Sequence, residues 1–148
     1  MSSTCITEHY SRDHDRLDRL FSQFQTFKPS DRARAIQCFQ EFKSGLEQHI
    51  AWEEEILFPS FENKTGESCG PTQVMRWEHQ EIRKYLDGIA EKQAQDRYDT
   101  QAEEFGLQTV LGQHNQKEEN ILYPMIDQFT DANERAGILT RMGMSSGT

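Results

Sequence analysis

Four of the five histidines and two glutamates stand where a helical core would ordinarily carry apolar residues. His14 falls between Tyr10 and Leu17, and His79 between Met75 and Ile82. His49 and Glu53 fall between Leu46 and Leu57, and His114 and Glu118 between Leu111 and Leu122. Imidazole and carboxylate are proton carriers and metal ligands. A lone histidine on an apolar face is ordinarily a satisfied core residue. Four of them, one on each stripe, together with two carboxylates, point instead to one shared site. A buried carboxylate without a counter-charge is strongly destabilising. No Lys or Arg lies on these stripes to neutralise Glu53 and Glu118. A metal cation is the economical counter-charge.

The intruding residues also repeat. The stretch from His49 to Pro59 matches the stretch from His114 to Pro124 at His, Glu-Glu, Ile-Leu and Pro, with Phe58 aligned to Tyr123. The offset is 65, and it carries His14 onto His79. Each half therefore reads His-x34-His-x3-Glu. Asp13 before His14 aligns loosely with Glu78 before His79. Residues i and i+4 of a helix share a face, with Cβ atoms ~5–6 Å apart, so each H-x-x-x-E is a two-ligand unit. One such unit is common; two, each with a further His, form a specific pattern. Imidazole with carboxylate suits iron or manganese, and cysteine is absent from the set. Di-iron bundles built on E-x-x-H units use more carboxylates than this chain offers.

The elements that must hold these residues are helices. Apolar residues recur by threes and fours: Tyr10, Leu17, Phe21 and Phe24; Phe39, Phe42, Leu46, Ile50 and Leu57; Met75, Ile82, Leu86 and Ile89; Leu107, Leu111, Leu122, Met125 and Phe129. The first segment runs from about Ile6 to Phe27 and stops at Lys28-Pro29. Ser30 is a suitable N-cap for the second, which ends near Phe58 or Phe61. Residues 63–70 read as a loop. Pro71 opens the third segment, which runs to about Gln93. The fourth spans about Thr100 to Phe129, and Asp131 caps a short fifth helix over about 132–142. Long helices joined by short connections predict an all-α fold, an antiparallel up-down four-helix bundle with a short C-terminal helix. The chain of 148 residues reads as one domain, with the bundle over about 6–129 and a short helix and mobile tail over 130–148.

Composition narrows the partners. The formal net charge is −9, from 25 acidic and 16 basic residues, which argues against nucleic acid or an anionic membrane surface. No apolar run approaches the ~18 residues of a membrane span. The first 25 residues are charged and read as no secretory signal. Three widely spaced cysteines, Cys5, Cys38 and Cys69, form no C-x-x-C and no disulfide framework. A cytoplasmic location is the expectation.

On His14, His49-x3-Glu53, His79 and His114-x3-Glu118, with Leu-aromatic-Pro at 57–59 and 122–124, the chain resembles the hemerythrin-like (HHE cation-binding) family, over about Glu8 to Phe129. The resemblance implies a four-helix bundle around a non-haem di-iron centre. It implies that His14 and His49 bind one iron and His79 and His114 the other. Glu53 and Glu118 would bridge them beside an oxo or hydroxo ligand, with manganese as a permitted substitute. The oxygen carriers of that family have a fifth ligand histidine, whose candidate positions here are Met75 and Arg83. Their last bridging carboxylate falls one residue later, where this chain has Glu119. The repeat aligns Glu118 with Glu53, so the chain resembles the four-His, two-Glu branch. Two His, two carboxylate oxygens and one oxo leave each iron five-coordinate, with a position for a small ligand.

The expected function is binding or reaction of O2, peroxide or nitric oxide at that centre. Its alternative is an iron or O2 sensor, or a reversible O2 carrier without catalysis. Partners are then small diatomic or peroxide ligands; a redox partner and a second copy of the chain stay open. No general base is evident beyond the ligands, which disfavours hydrolysis. His9 reads as a surface or outer residue. Tyr10 reads as core, with a phenol aimed at the metals as the alternative. Trp52, Trp77 and Tyr85 read as packing residues. Glu54, Glu55 and Glu119 read as solvated, and Cys69 as a bystander thiol.

Overall fold

The computed structural model describes residues 5–66 and 70–143. Helix α1 (Ile6–Phe27) stops just before Pro29, and Asp31, rather than Ser30, caps α2 (Arg32–Trp52). The Asp31 carboxylate accepts from the Arg34 N–H at 3.2 Å, satisfying one of the orphan donors of the first turn. The helix continues through a π turn, π1 (Glu53–Leu57), into α3 (Phe58–Thr65). Gly66 ends it at φ 75°, a left-handed cap suited to glycine. The predicted loop therefore starts three residues later than its polarity suggests.

Helix α4 (Pro71–Ala94) opens on proline, as expected. After the polar connection comes α5 (Gln101–Lys117), a second π turn, π2 (Glu118–Leu122), and α6 (Tyr123–Phe129). Asp131 and Glu134 form a capping box at the start of α7 (Ala132–Arg141). Cys69 and residues 144–148 lie outside the described residues.

The chain folds as two αα-hairpins, α1 on α2 and α4 on α5, with α6 against α1 and α2 against α4. This is the expected antiparallel four-helix bundle. The interior divides into two apolar layers. One gathers Leu17, Phe21, Phe24, Phe39, Phe42 and their neighbours. The other gathers Ile6, Tyr10, Leu57, Phe58, Met75 and Tyr123, closed by Ile138, Leu139 and Met142 of α7 and the turn after it. Fully burying one such Leu or Phe is worth about 1.5–3 kcal/mol. The His/Glu residues lie between the two layers.

Both π turns begin at a core glutamate and end two residues before a proline, Pro59 or Pro124. Proline has no N–H and crowds the carbonyl four residues back, so the helix widens there. The N–H of Phe58 reaches the Glu53 carbonyl, and that of Tyr123 reaches the Glu118 carbonyl, five residues back. The extra residue rotates the helix beyond it. Ile126 is buried and Phe129 is exposed, the reverse of what an unbroken 3.6-residue period gives for Phe129. Trp77 is also exposed, whereas Trp52 and Tyr85 are half-buried against the core.

Candidate metal centre

The structure brings all six sequence-predicted residues together, and all six are buried. They form two adjoining groups: His14, His49, Glu53 and Glu118, and Glu53, His79, His114 and Glu118. Within each group the donor atoms lie within 4.8 Å of one another. The glutamates belong to both because each presents one oxygen to either side. Glu53 Oε2 is 3.4 Å from His49 Nε2, and its Oε1 is 3.0 Å from His79 Nε2. Glu118 Oε1 is 3.1 Å from His14 Nε2, and its Oε2 is 3.2 Å from His114 Nε2. His9 is in neither group.

Each imidazole is turned by a carboxylate behind it. The Nδ1–H groups of His14 and His79 donate to Glu119 at 2.6 Å and to Glu54 at 2.7 Å. Those of His49 and His114 donate to Asp13 at 2.8 Å and to Glu78 at 2.9 Å. This fixes every Nε2 as the inward donor, the arrangement that metal-ligating histidines use. All four carboxylates obey the 65-residue repeat. Glu54 and Glu119 are therefore not free solvated charges as expected; only Glu55 is exposed. The repeat of Glu-Glu was the signal that could have found them. Behind three of the four stand cations: Arg16 on Asp13 at 2.9 Å, Arg83 on Glu54 at 3.2 Å, and Lys117 on Glu78.

Sequence reasoning also missed Tyr123. The π turn swings its ring inward, and its hydroxyl lies 2.5 Å from Glu53 Oε2 and 2.8 Å from Glu118 Oε1. Its aligned partner Phe58 stacks on His79 with ring centroids 5.9 Å apart. Tyr10, by contrast, sends its hydroxyl away to Met142 Sδ at 3.0 Å and lays its ring against His49. Its core reading holds.

The electrostatics call for positive charge. Burial opposes a charged imidazole, but Glu53 and Asp13 outweigh it and lift His49 to about 10. In the same way Glu118 and Glu78 lift His114 to about 10 against its burial. Burial also opposes the Glu53 charge, yet His49 beside it holds that carboxyl well below the usual range. Without a metal, protons on imidazole thus balance the carboxylates. They do not satisfy the site: Glu53 Oε1 and His79 Nε2 approach to 3.0 Å and Glu118 Oε2 and His114 Nε2 to 3.2 Å, yet Glu53 Oε1, Glu118 Oε2 and His79 Nε2, all buried, complete no hydrogen bond. Nitrogen and carboxylate donors with orphaned acceptors fit a first-row metal cation.

Comparison with known proteins agrees. The chain aligns with the iron-sulfur cluster repair protein YtfE of Edwardsiella ictaluri (strain 93-146), at 31% identity over 91 residues. That alignment covers 57% of this chain and 41% of the relative, so the chain spans well under half of that protein's length. No solved structure gives a significant match. The family model of the hemerythrin HHE cation-binding domain matches residues 5–126, and the chain belongs to that family.

Proposed function

We propose that this chain is a di-iron protein that binds or reacts with O2, peroxide or nitric oxide. The observation that carries the reading is the pair of glutamates, each offering one oxygen to either of two histidine pairs, with Glu53 Oε1, Glu118 Oε2 and His79 Nε2 left without a hydrogen bond. His14 and His49 would hold one iron, His79 and His114 the other, and Glu53 and Glu118 would join them. Bound iron supplies one-electron chemistry and Lewis acidity toward small ligands. The chain itself supplies position, charge and exclusion. The four outer carboxylates hold the imidazoles in one tautomer and orientation. The two apolar layers keep bulk water from the centre.

Access favours small molecules. A cavity of about 430 Å3 between α1 and α5, lined by Asp18, Phe21, Leu111, Asn115 and Glu119 among others, reaches the carboxylate that holds His14. At the repeat-related positions of the other hairpin pair, Arg83, Phe42 and Ile50 stand where this face has Asp18, Leu107 and Asn115. There Arg83 closes onto Glu54.

Among the described residues no helix is long and apolar enough to cross a membrane. A cytoplasmic location goes with this reading. The likeness to an iron-sulfur cluster repair protein favours a second reading, in which the centre hands iron to clusters. Anaerobic loading tests the first: two irons per chain are expected, and about one or none would overturn it. Reduced protein is then given O2, H2O2 and nitric oxide separately, followed optically and by product assay. Full, repeated recovery of O2 under argon would replace this reading with a reversible carrier. Iron transfer to an apo cluster protein without consumption of any of the three would favour the second.

A further inference from the structure

The two halves of the centre differ at one repeat position. Where one half has Tyr123, the other has Phe58. The Tyr123 hydroxyl oxygen touches all four residues of the His14/His49 group: Glu53 Oε2 at 2.5 Å, Glu118 Oε1 at 2.8 Å, and His14 Nε2 and His49 Nε2 at 3.3 Å each. It stands among the donors that a cation in that half would need. Phe58 offers nothing comparable. The three atoms of the centre that complete no hydrogen bond, Glu53 Oε1, His79 Nε2 and Glu118 Oε2, face the His79/His114 half, where they are held only in ion-pair contact, Glu53 Oε1 with His79 Nε2 at 3.0 Å and Glu118 Oε2 with His114 Nε2 at 3.2 Å.

Affinity is a difference between filled and empty states. A donor that is buried and completes no hydrogen bond when empty has already lost its hydration, so a cation that reaches it displaces little. A donor already hydrogen-bonded gains less, because the cation must first displace its partner. We propose that the two positions fill in order. The His79/His114 position takes the first metal. The His14/His49 position takes the second, and only as the Tyr123 hydroxyl yields its place. This inference rests on the two-metal reading above.

The test is a stepwise anaerobic titration of the full metal-free chain with Co(II), followed by its visible absorption, and with Fe(II) against a competing chelator. Two steps are expected in the unmodified chain, separated by about tenfold or more in Kd. His79→Ala should abolish the tighter step and His14→Ala only the weaker. Tyr123→Phe should tighten the weaker step until the two converge. Phe58→Tyr, a second variant that does not depend on Tyr123→Phe folding, should weaken the tighter step. Equal steps in the unmodified chain would overturn the proposal. So would loss of the tight step in His14→Ala, or a weaker second step in Tyr123→Phe, which would make the hydroxyl a ligand rather than a competitor. Failure to bind either metal would instead overturn the two-metal reading itself.

Discussion

His14 and Glu119 lie 105 residues apart and meet at 2.6 Å, and His79 and Glu54 repeat that contact across the bundle at 2.7 Å. Each of these histidines is thus oriented by a carboxylate from the opposite half of the repeat. The halves cannot form their sites independently. Losing such a partner of a metal-bound histidine costs about 10–100-fold in metal affinity. Glu119→Gln and Glu54→Gln should each weaken iron binding by that order, measured by chelator competition, while far-UV circular dichroism stays unchanged. An equal loss in Glu55→Gln would point to general surface charge instead, since Glu55 is exposed.

These pairs mark how far the sequence could be read. The six inward residues were legible because polar groups on an apolar stripe contradict its period. Glu54 and Glu119 sit one residue off the stripe, so their polarity contradicted nothing, and only the repeat pointed to them. Tyr123 was hidden for a different reason. An unbroken 3.6-residue period carried from Leu111, before the π turn, favours Met125 and Phe129 as inward positions. The π turns add a residue at Glu118–Leu122 and turn Tyr123 and Ile126 inward instead. Pro124 and Pro59 were the local signals that the helix could not continue unchanged.

Metal removal should make stability depend on pH in a defined direction. In the metal-free chain His49 and His114 have values raised from 6.5 to about 10. A raised value stabilises the fold fully below the unfolded value and loses that contribution as pH rises through the folded one. Metal-free protein should therefore lose stability between about pH 6.5 and pH 10. Metal-loaded protein, whose imidazoles are bound as neutral ligands, should not. Thermal unfolding of both forms across that range decides it, and parallel curves would refute it. Glu53→Ala should lower metal-loaded stability far more than metal-free stability, because in the latter it also removes a buried acid.

Gly106 predicts a purely structural effect. A Cβ built there would come within 2.5 Å of the Tyr85 ring, which packs against the core from α4. The contacts are with Cε1, Cζ and the hydroxyl oxygen, the outer edge of a rigid ring packed against the core, so the ring or α5 would have to move. Gly106→Ala should cost about 1–3 kcal/mol through overpacking, despite alanine's better helix propensity. Tyr85→Ala in the same chain should relieve the clash, so that the double variant is more stable than the two single effects added.

Asp127 supplies the cap that α1 lacks. Cys5, the N-cap residue, makes no side-chain capping bond. Instead the Asp127 carboxylate, reaching across from α6, accepts from the Ile6 N–H at 2.7 Å, the Thr7 N–H at 3.0 Å, the Thr7 hydroxyl at 2.6 Å and the Cys5 thiol at 3.0 Å. Its charge also faces the positive end of the helix dipole. Burial works against that charge, but the donors from Cys5, Thr7 and Ile6 outweigh it and hold the carboxyl below its usual 3.8. A lowered value contributes stability above 3.8 and loses it as pH falls through the folded value. Asp127→Ala should cost about 1–2 kcal/mol near neutrality, as the loss of a helix cap does. The deficit relative to the unmodified chain should shrink as the solution is acidified below pH 3.8, where the native carboxylate is itself lost. Asp127→Asn keeps an acceptor without the charge, so it should recover part of the stability and none of the acid dependence. Denaturant unfolding at several pH values separates the two. Because α1 carries His14 two turns from this cap, Asp127→Ala should also raise amide exchange through Ile6–Tyr10 before it affects the inner helix. Unchanged exchange there would show that the core layer around Ile6 and Tyr10 alone holds the start of α1.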